Sequence, residues 1–129
     1  IYRLNTDKSI IFTGRVPFEE IHKYYMVMNV LALPTHREGF GLVSVEAQAM
    51  TIPAIVSNYT GCAETVIDGV TGLYIDKTPE SIVKALTKML DLKYAKKLGI
   101  QGRKFVVENF EHTIVRSCML NVLNSMIER

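Results

Sequence analysis

The sequence predicts an α/β protein built on a Rossmann-like parallel sheet flanked by helices. Short apolar runs alternate with amphipathic helical stretches along its 129 residues, and this alternation is typical of α/β sheets. Hydrophobic residues make up 48% of the chain and charged residues 22%, as in an ordinary soluble domain. This length allows one domain at most, with a sizeable core.

Four apolar runs are predicted to form the strands of the sheet. They lie at residues 10–13, 30–33, 54–56 and 73–75. Each is short and bounded by turn residues, as expected of buried parallel strands. The connections between the last three are all present in the chain, so these three strands should be parallel neighbours in chain order.

Helices are predicted between and after these strands. Pro17 suits the first position of a helix, and Thr78 before Pro79 suits an N-cap. Further helices are expected at residues 42–50, 94–108 and 112–128.

Several helix faces carry one kind of side chain. The first helix has an apolar face of Ile21, Tyr24, Tyr25 and Met28, and the third has a stripe of Ile82, Val83, Leu86, Met89 and Leu90. The last helix carries Val115, Cys118, Met119, Val122 and Met126, which should pack against the sheet, with docking to another domain as the alternative. A solvated face is expected for the basic residues Lys93, Lys96, Lys97, Arg103 and Lys104.

Two glutamates, Glu38 and Glu46, lie on either side of a glycine-rich turn between a strand and a helix. Gly41 occupies the helix-cap position and has no side-chain oxygen to satisfy the first backbone N–H groups. These donors and the helix dipole favour an anion, while carboxylates accept hydrogen bonds from hydroxyls. The arrangement suits a phosphorylated sugar, and the alternative is an ordinary tight turn with an exposed helical glutamate.

Three linked segments resemble a known family. Residues 34–42 with 46–49 look like its Glu-x7-Glu block, residues 53–57 with 61–66 like the next strand and glycine-glutamate turn, and residues 68–75 like the following hairpin and strand. The chain thereby resembles the C-terminal half of a GT-B glycosyltransferase, from the large retaining family called group 1 or family four. Residues 11–16 fit the strand before the block.

The resemblance implies a role for each residue of the block. Glu38 would contact the transferred sugar as the catalytic residue, and Glu46 would bind the ribose of the nucleotide. Backbone N–H groups would hold sugar and pyrophosphate, namely those of Gly39, Phe40, Gly41 and Leu42. The nucleobase would lie near Arg15 and Val16. The donor would be a UDP- or GDP-sugar, with neither a divalent metal nor another cofactor.

The implied reaction is sugar transfer with retention, by front-face attack, to a saccharide or lipid-linked acceptor. The implied partners are therefore the donor, the acceptor and a missing N-terminal domain, and the isolated chain is expected to be inactive. A non-catalytic nucleotide-sugar-binding or interaction module is the alternative, and a GT-B-like epimerase ranks lower.

The chain, residues 1–129, is thus expected to be a partial C-terminal nucleotide-sugar-binding domain that lacks the family's first two strands. Those strands would lie between residues 10–13 and 30–33 in the family's sheet order. Their absence would leave unpaired backbone. We expect collapse, with residues 10–13 moving beside 30–33, or self-association of the chain.

Two residues depart from the family pattern. Thr51 stands where glycine usually follows the helix, and a β-branched residue resists positive φ, so a different helix end is expected. Thr60 replaces the first glycine of the usual pair before Cys62.

The remaining residues restrict the other functional classes. A net charge of +2 gives no reason to expect nucleic acid. Cys62 and Cys118 are predicted to be reduced thiols of a cytoplasmic protein, with peripheral contact at the inner membrane face as an added option. No metal site is expected, because the histidines His22, His36 and His112 are scattered.

Overall fold

The computed structural model describes residues 9–59 and 61–127. Its centre is a parallel sheet of three strands in the order β1-β2-β3. The strands are β1 (Leu31–Leu33), β2 (Ala54–Ser57) and β3 (Gly72–Ile75). The predicted order and parallel direction of these three strands are confirmed.

Strand β2 is the middle of the sheet, and all four of its residues are buried. Leu31 of β1 lies opposite Ala54 of β2, which in turn lies opposite Gly72 of β3. A strand covered on both faces and paired on both edges needs apolar side chains throughout, which explains its continuous apolar run.

Residues 9–59 and 61–127 contain five helices. A 3-10 turn at Phe18–Glu20 leads into the first, and a second 3-10 turn at Cys62–Thr65 follows β2. The helices are α1 (Ile21–Val27), α2 (Leu42–Ala49), α3 (Pro79–Met89), α4 (Leu92–Phe110) and α5 (His112–Ile127). In the part of the chain that the structure describes, no helix is long and apolar enough to cross a membrane.

Side-chain caps define where α3 and α4 begin. Thr78 accepts a hydrogen bond from the Ser81 N–H at 3.2 Å, with Pro79 in the first turn, as predicted. Asp91 caps α4 by accepting from the N–H groups of Lys93 and Tyr94. Each cap satisfies backbone donors that the helix itself leaves unpaired.

The core has two parts. One part joins β2 and β3 to α3 and α4 and consists of Ile55, Leu73, Ile75, Ala85, Met89, Ala95 and Leu98. The other lies under the second 3-10 turn and consists of Ala54, Val56, Cys62 and Val66. Helix α3 faces the core through Ala85 and Met89, whereas Val83 and Leu90 of the predicted stripe are 62% and 78% exposed.

Helices α2 and α4 approach each other closely at two glycines of α4. A Cβ on Gly99 would lie 2.0 Å from the Thr51 carbonyl oxygen, and one on Gly102 would lie 3.0 Å from the Gln48 side chain. The Arg103 guanidinium also donates to the Ala49 carbonyl at the end of α2. Arg103 thus has a structural contact, although it belongs to the face predicted to be solvated.

Helix α2 ends at Thr51 in the left-handed conformation, with φ +63°. The Ile52 N–H donates to the Ala47 carbonyl and the Thr51 N–H to the Gln48 carbonyl, which is the Schellman pattern usually made by glycine. The expectation of a different helix end is therefore wrong, because the two hydrogen bonds offset the strain of a β-branched residue. Thr60, the other departure, lies outside the described residues.

Residues 10–13 do not form a strand, so this prediction is wrong. Ile10, Ile11 and Phe12 are 44%, 87% and 70% exposed. Thr13 and Leu31 of β1 instead both line an apolar cleft of about 390 Å³, which Gly14 and Val16 also line and which is here called the Val16 cleft. A strand requires a partner for its backbone groups, and the described residues place none beside this segment.

Helix α5 contacts α4 and has no buried residue between His112 and Ile127. Met119 and Met126 of its apolar face are 62% and 68% exposed. The expected packing of this face against the sheet is wrong, since α4 lies between α5 and the strands. Docking of this face to another domain remains a prediction, and residue 128 of the predicted helix lies outside the described residues.

Candidate functional site

The candidate site lies where β1 and β2 end. The loop after β1 carries Glu38 and Gly39, and the loop after β2 carries Gly61. Gly61 has φ +93°, and a Cβ there would lie 2.4 Å from the Gly39 carbonyl oxygen. The two loops are therefore in direct backbone contact at the carboxyl edge of the sheet, where parallel α/β sheets bind their ligands.

Helix α2 begins at this edge with Gly41 as its N-cap, as predicted. Gly41 has φ +78°, a conformation that favours glycine. Its carbonyl accepts hydrogen bonds from the N–H and the hydroxyl of Ser44, at 2.9 and 2.8 Å. Among the described residues, no side chain caps the helix. The first-turn N–H groups and the helix dipole can thus face an anion.

Glu38 is exposed and lines a cleft of about 420 Å³. This Glu38 cleft is also lined by His36, Arg37, Gly39 and Tyr59. The Glu38 carboxylate accepts a hydrogen bond from the Gly39 N–H at 3.0 Å. One of the backbone donors predicted for the sugar or pyrophosphate is therefore engaged by Glu38 in this structure, and a ligand would have to replace that bond.

Glu46 is partly buried and lies in a different place, on α2 facing α1. It lines an apolar cleft of about 360 Å³, here called the Glu46 cleft, together with Phe18, Tyr25 and Met50. The Tyr25 hydroxyl donates a hydrogen bond to Glu46 Oε2 at 2.7 Å. Burial, and then the hydrogen bond to Glu46 and its charge, raise the pKa of Tyr25 above its usual value.

The two glutamates thus line different clefts: Glu38 lies in the loop before α2, whereas the cleft of Glu46 is also lined by Ala49 and Met50 at the C-terminal end of α2. A compact ligand in one cleft would miss the other carboxylate. An extended ligand with an anion at the helix N-terminus could reach both, because the N-cap Gly41 lies between the two glutamates along the chain.

The two residues predicted near the nucleobase differ in position. Val16 lines the Val16 cleft, and Tyr25 lines both this cleft and the Glu46 cleft. Arg15 is exposed and is not among the residues that line the Val16 cleft. The structure therefore brings Val16, but not the Arg15 side chain, into the neighbourhood of Tyr25.

A buried polar network fixes α2 against the second 3-10 turn. Gln48 Nε2 donates to the carbonyls of Ser44 and Thr65 at 3.0 and 2.7 Å, and the hydroxyls of Ser44 and Thr65 are also in contact. Thr65 donates to the Cys62 carbonyl at 2.7 Å. Gln48 Oε1 is buried without a hydrogen-bond partner among the described residues, so the network is only partly satisfied. Its four hydrogen bonds and contacts still join α2 to the 3-10 turn after β2.

Aromatic contacts that the sequence reasoning missed hold the site loops. The Phe40 ring packs edge-on against Phe110 of α4, with ring centroids 5.6 Å apart. After β2, the Tyr59 ring lies under the Lys77 ammonium group, which is 3.9 Å from the ring centroid. Lys77 follows β3, so this pair joins two loops at the same edge. No local sequence pattern predicts either contact, because the two partners are far apart in sequence.

The family model for glycosyl transferases group 1 matches residues 1–105. The chain belongs to this family. The match covers every element from α1 to most of α4, including both glutamates and the loops that carry them.

Two curated members of group 1 are similar over most of this chain. The capsular polysaccharide biosynthesis glycosyltransferase CapM of Staphylococcus aureus is 37% identical over 107 residues, which are 81% of this chain and 28% of CapM. The GDP-mannose-dependent alpha-(1-6)-phosphatidylinositol monomannoside mannosyltransferase of Mycolicibacterium smegmatis is 31% identical over 117 residues, which are 84% of this chain and 31% of that protein. The chain therefore spans less than a third of either relative.

A solved structure shows the same architecture. Sucrose-phosphate synthase from Thermosynechococcus elongatus has a TM-score of 0.88 and 30% identity, over 96% of this chain and 32% of that chain. The recognition of part of a group 1 glycosyltransferase with the GT-B fold is confirmed. The expected collapse of the sheet is wrong, since the chain keeps the arrangement found in the longer protein, whereas self-association stays a prediction.

Proposed function

We propose that this chain binds the nucleotide-diphosphate sugar of a retaining glycosyltransferase, as part of that enzyme's C-terminal domain. One observation carries the proposal: the glycine-capped start of α2 lies between Glu38 and Glu46 along the chain, and each glutamate lines a cleft of its own. A nucleotide sugar has the matching order of parts, with a diphosphate between two groups that bear hydroxyls.

The diphosphate would lie at the first turn of α2. Backbone N–H groups there point toward the carboxyl edge, and the positive end of the helix dipole adds to their attraction for an anion. When the bond to the sugar breaks, negative charge grows on the leaving diphosphate. Donors already fixed by the helix stabilise that charge without reorganising.

The nucleoside would lie on the side of Glu46. Its ribose hydroxyls would donate to the Glu46 carboxylate, and the base would extend toward Val16 through the apolar clefts that share Tyr25. Apolar walls suit the faces of a base, and a carboxylate suits two neighbouring hydroxyls.

The transferred sugar would lie in the Glu38 cleft, with Glu38 as the catalytic residue. Glu38 would accept hydrogen bonds from sugar hydroxyls in place of the Gly39 N–H, which would then be released to the ligand. Through these contacts Glu38 would orient the anomeric carbon toward the acceptor.

The acceptor class is proposed from the relatives. One acts in capsular polysaccharide biosynthesis and the other is a GDP-mannose-dependent enzyme acting on a phosphatidylinositol monomannoside. We therefore propose a UDP- or GDP-sugar donor and a saccharide or lipid-linked acceptor for the complete protein.

The experiment is calorimetric titration of the complete protein with UDP, GDP and their sugars, with turnover measured in parallel. Glu46→Gln should weaken nucleotide binding about 10- to 100-fold, since a hydrogen bond to a charged group contributes about 1.5–3 kcal/mol. Glu38→Gln should lower kcat more than nucleotide affinity. Glu108→Gln, an exposed glutamate paired with Lys104 on α4, is the control and should change neither.

The outcomes separate the alternatives. Normal binding of free nucleotide by the Glu46 variant would show that the ribose assignment is wrong. Donor binding without turnover would favour the non-catalytic module. Retention is tested by the anomeric configuration of the product, read by NMR.

A further inference from the structure

The phenol of Tyr25 makes a contact that the ribose assignment does not itself require. Tyr25 is 5% exposed and is the buried residue of α1. Its hydroxyl reaches across to α2 and donates to Glu46 Oε2 at 2.7 Å. The bond joins residues 21 positions apart in sequence, so it fixes one helix relative to the other at the proposed nucleoside site.

We propose that Tyr25 is a positioning residue that holds the Glu46 carboxylate in the orientation that binds ribose, and thereby sets the selectivity of the site for ribonucleotides. This inference rests on the proposed function and deepens it. Tyr25 acts through Glu46, without touching the ribose hydroxyls.

The hydrogen-bonding capacity of the carboxylate supports this division of roles. A carboxylate has two oxygens with about four acceptor positions. The Tyr25 hydroxyl occupies one position on Oε2, which leaves the other oxygen and the second lone pair of Oε2 for the two hydroxyls of a ribose.

Pre-organisation of the Glu46 side chain explains why the hydrogen bond from Tyr25 should strengthen ribose binding. A glutamate that is free to rotate loses side-chain entropy when a ligand fixes it. Glu46 is already held by Tyr25 in the described structure, so much of that loss occurs on folding. A phenol keeps its proton at neutral pH even at its ordinary pKa, and burial and the neighbouring Glu46 raise the pKa of the Tyr25 phenol further, so the hydroxyl remains a donor.

The competing explanation is that Tyr25 matters only for packing. Its ring lines both the Val16 cleft and the Glu46 cleft, so removal of the ring would disturb α1 regardless of Glu46. Tyr25→Phe keeps the ring and removes only the donor. Tyr94→Phe is the matched control, because it removes a hydroxyl from a tyrosine of α4 that lines neither cleft.

The test compares ribonucleoside diphosphates with their 2′,3′-dideoxy analogues by calorimetry on the complete protein. Tyr25→Phe should weaken UDP or GDP binding about tenfold, consistent with one hydrogen bond to a charged group. The affinity for the dideoxy analogue should not change. Tyr94→Phe should leave both affinities as in the wild-type protein.

A double-mutant cycle checks that Tyr25 acts through Glu46. In a Glu46→Gln background, Tyr25→Phe should cause little additional loss of ribonucleotide affinity, because the two residues act as a unit. Additive losses would overturn the proposal, and so would equal losses for ribo- and dideoxynucleotides, which indicate a packing role.

Failure of the inference is distinguishable from failure of the proposed function. If Glu46→Gln abolishes the preference for ribonucleotides and Tyr25→Phe does not alter it, the ribose site stands and the positioning role is wrong. If the wild-type protein has no preference for ribo- over dideoxynucleotides, both are wrong. Thermal unfolding shows whether each variant folds. For the variants that fold, the double-mutant cycle decides whether Tyr25 acts through Glu46.

Discussion

The threonine in the left-handed conformation at the end of α2 predicts that Thr51→Gly stabilises the protein. Thr51 has φ +63°, where an L-residue experiences a steric cost of about 1–2 kcal/mol and glycine does not. Its side chain is exposed, and its hydroxyl contacts only the preceding Met50 carbonyl among the described residues. Loss of the side chain itself should therefore have a small effect.

The magnitude is the relief of strain minus the added entropy of the unfolded chain. Introducing glycine increases that entropy by about 0.4–1 kcal/mol, so the net gain should be about 0.5–1 kcal/mol. For a domain of this size the gain corresponds to a rise in Tm of about 2–5 °C. The Ile52 N–H, which donates to the Ala47 carbonyl, should also exchange with solvent more slowly.

The assay is thermal unfolding of the complete protein, with hydrogen exchange at the Ile52 amide as the local measurement. Thr51→Ala is the control, because it removes the same side-chain atoms beyond Cβ and keeps most of the backbone strain. It should change stability by less than half the glycine effect. A lower Tm for Thr51→Gly, or equal effects of the two substitutions, would refute the reasoning.

Two further predictions concern packing and activity. Gly99→Ala should destabilise the protein by about 2–3 kcal/mol, because the added Cβ would lie 2.0 Å from the Thr51 carbonyl oxygen. The loss of stability is measured as a lower Tm. The control is Gln101→Ala at an exposed position of the same helix, which should leave Tm unchanged. The isolated 129-residue chain should transfer no sugar and bind nucleotide sugars weakly, because it spans less than a third of the length of its relatives. Chromatographic detection of product by this chain alone would contradict the second prediction.

The sheet was predictable because its middle strand β2 is buried throughout and β3 is buried at three of its four residues. Continuous apolar runs indicate such burial, and the turn residues between the runs mark the strand ends. The glycine cap of α2 was predictable for a related reason, since Gly41 directly precedes an amphipathic stretch.

The segment at residues 10–13 shows the limit of that reasoning. Apolar residues report a tendency to be buried, whereas a strand also requires a neighbouring strand, and Ile11 is 87% exposed here. The left-handed Thr51 was missed because local steric preference favours glycine, while the close contact of α2 with Gly99 of α4 is a tertiary effect.

The candidate site was predictable for residues close in sequence and not for those brought together by folding. Glu38, Gly41 and Glu46 lie in one short segment. Helical periodicity placed Tyr25 on the inner face of α1, but it carries no information about which α2 side chain that hydroxyl meets. The same holds for Phe40, whose partner Phe110 ends α4.

Helix α4 contacts both the loop that carries Glu38 and the helix that carries Glu46, which restricts how these two glutamates can move relative to each other. It contacts the Glu38-bearing loop through Phe110 and Phe40, and it contacts the Glu46-bearing helix through Gly99 and Arg103. Any movement of this domain as a unit should therefore carry the two carboxylates as one rigid body. A donor bound as proposed would move with both of its ends held, and the distance between them would not change.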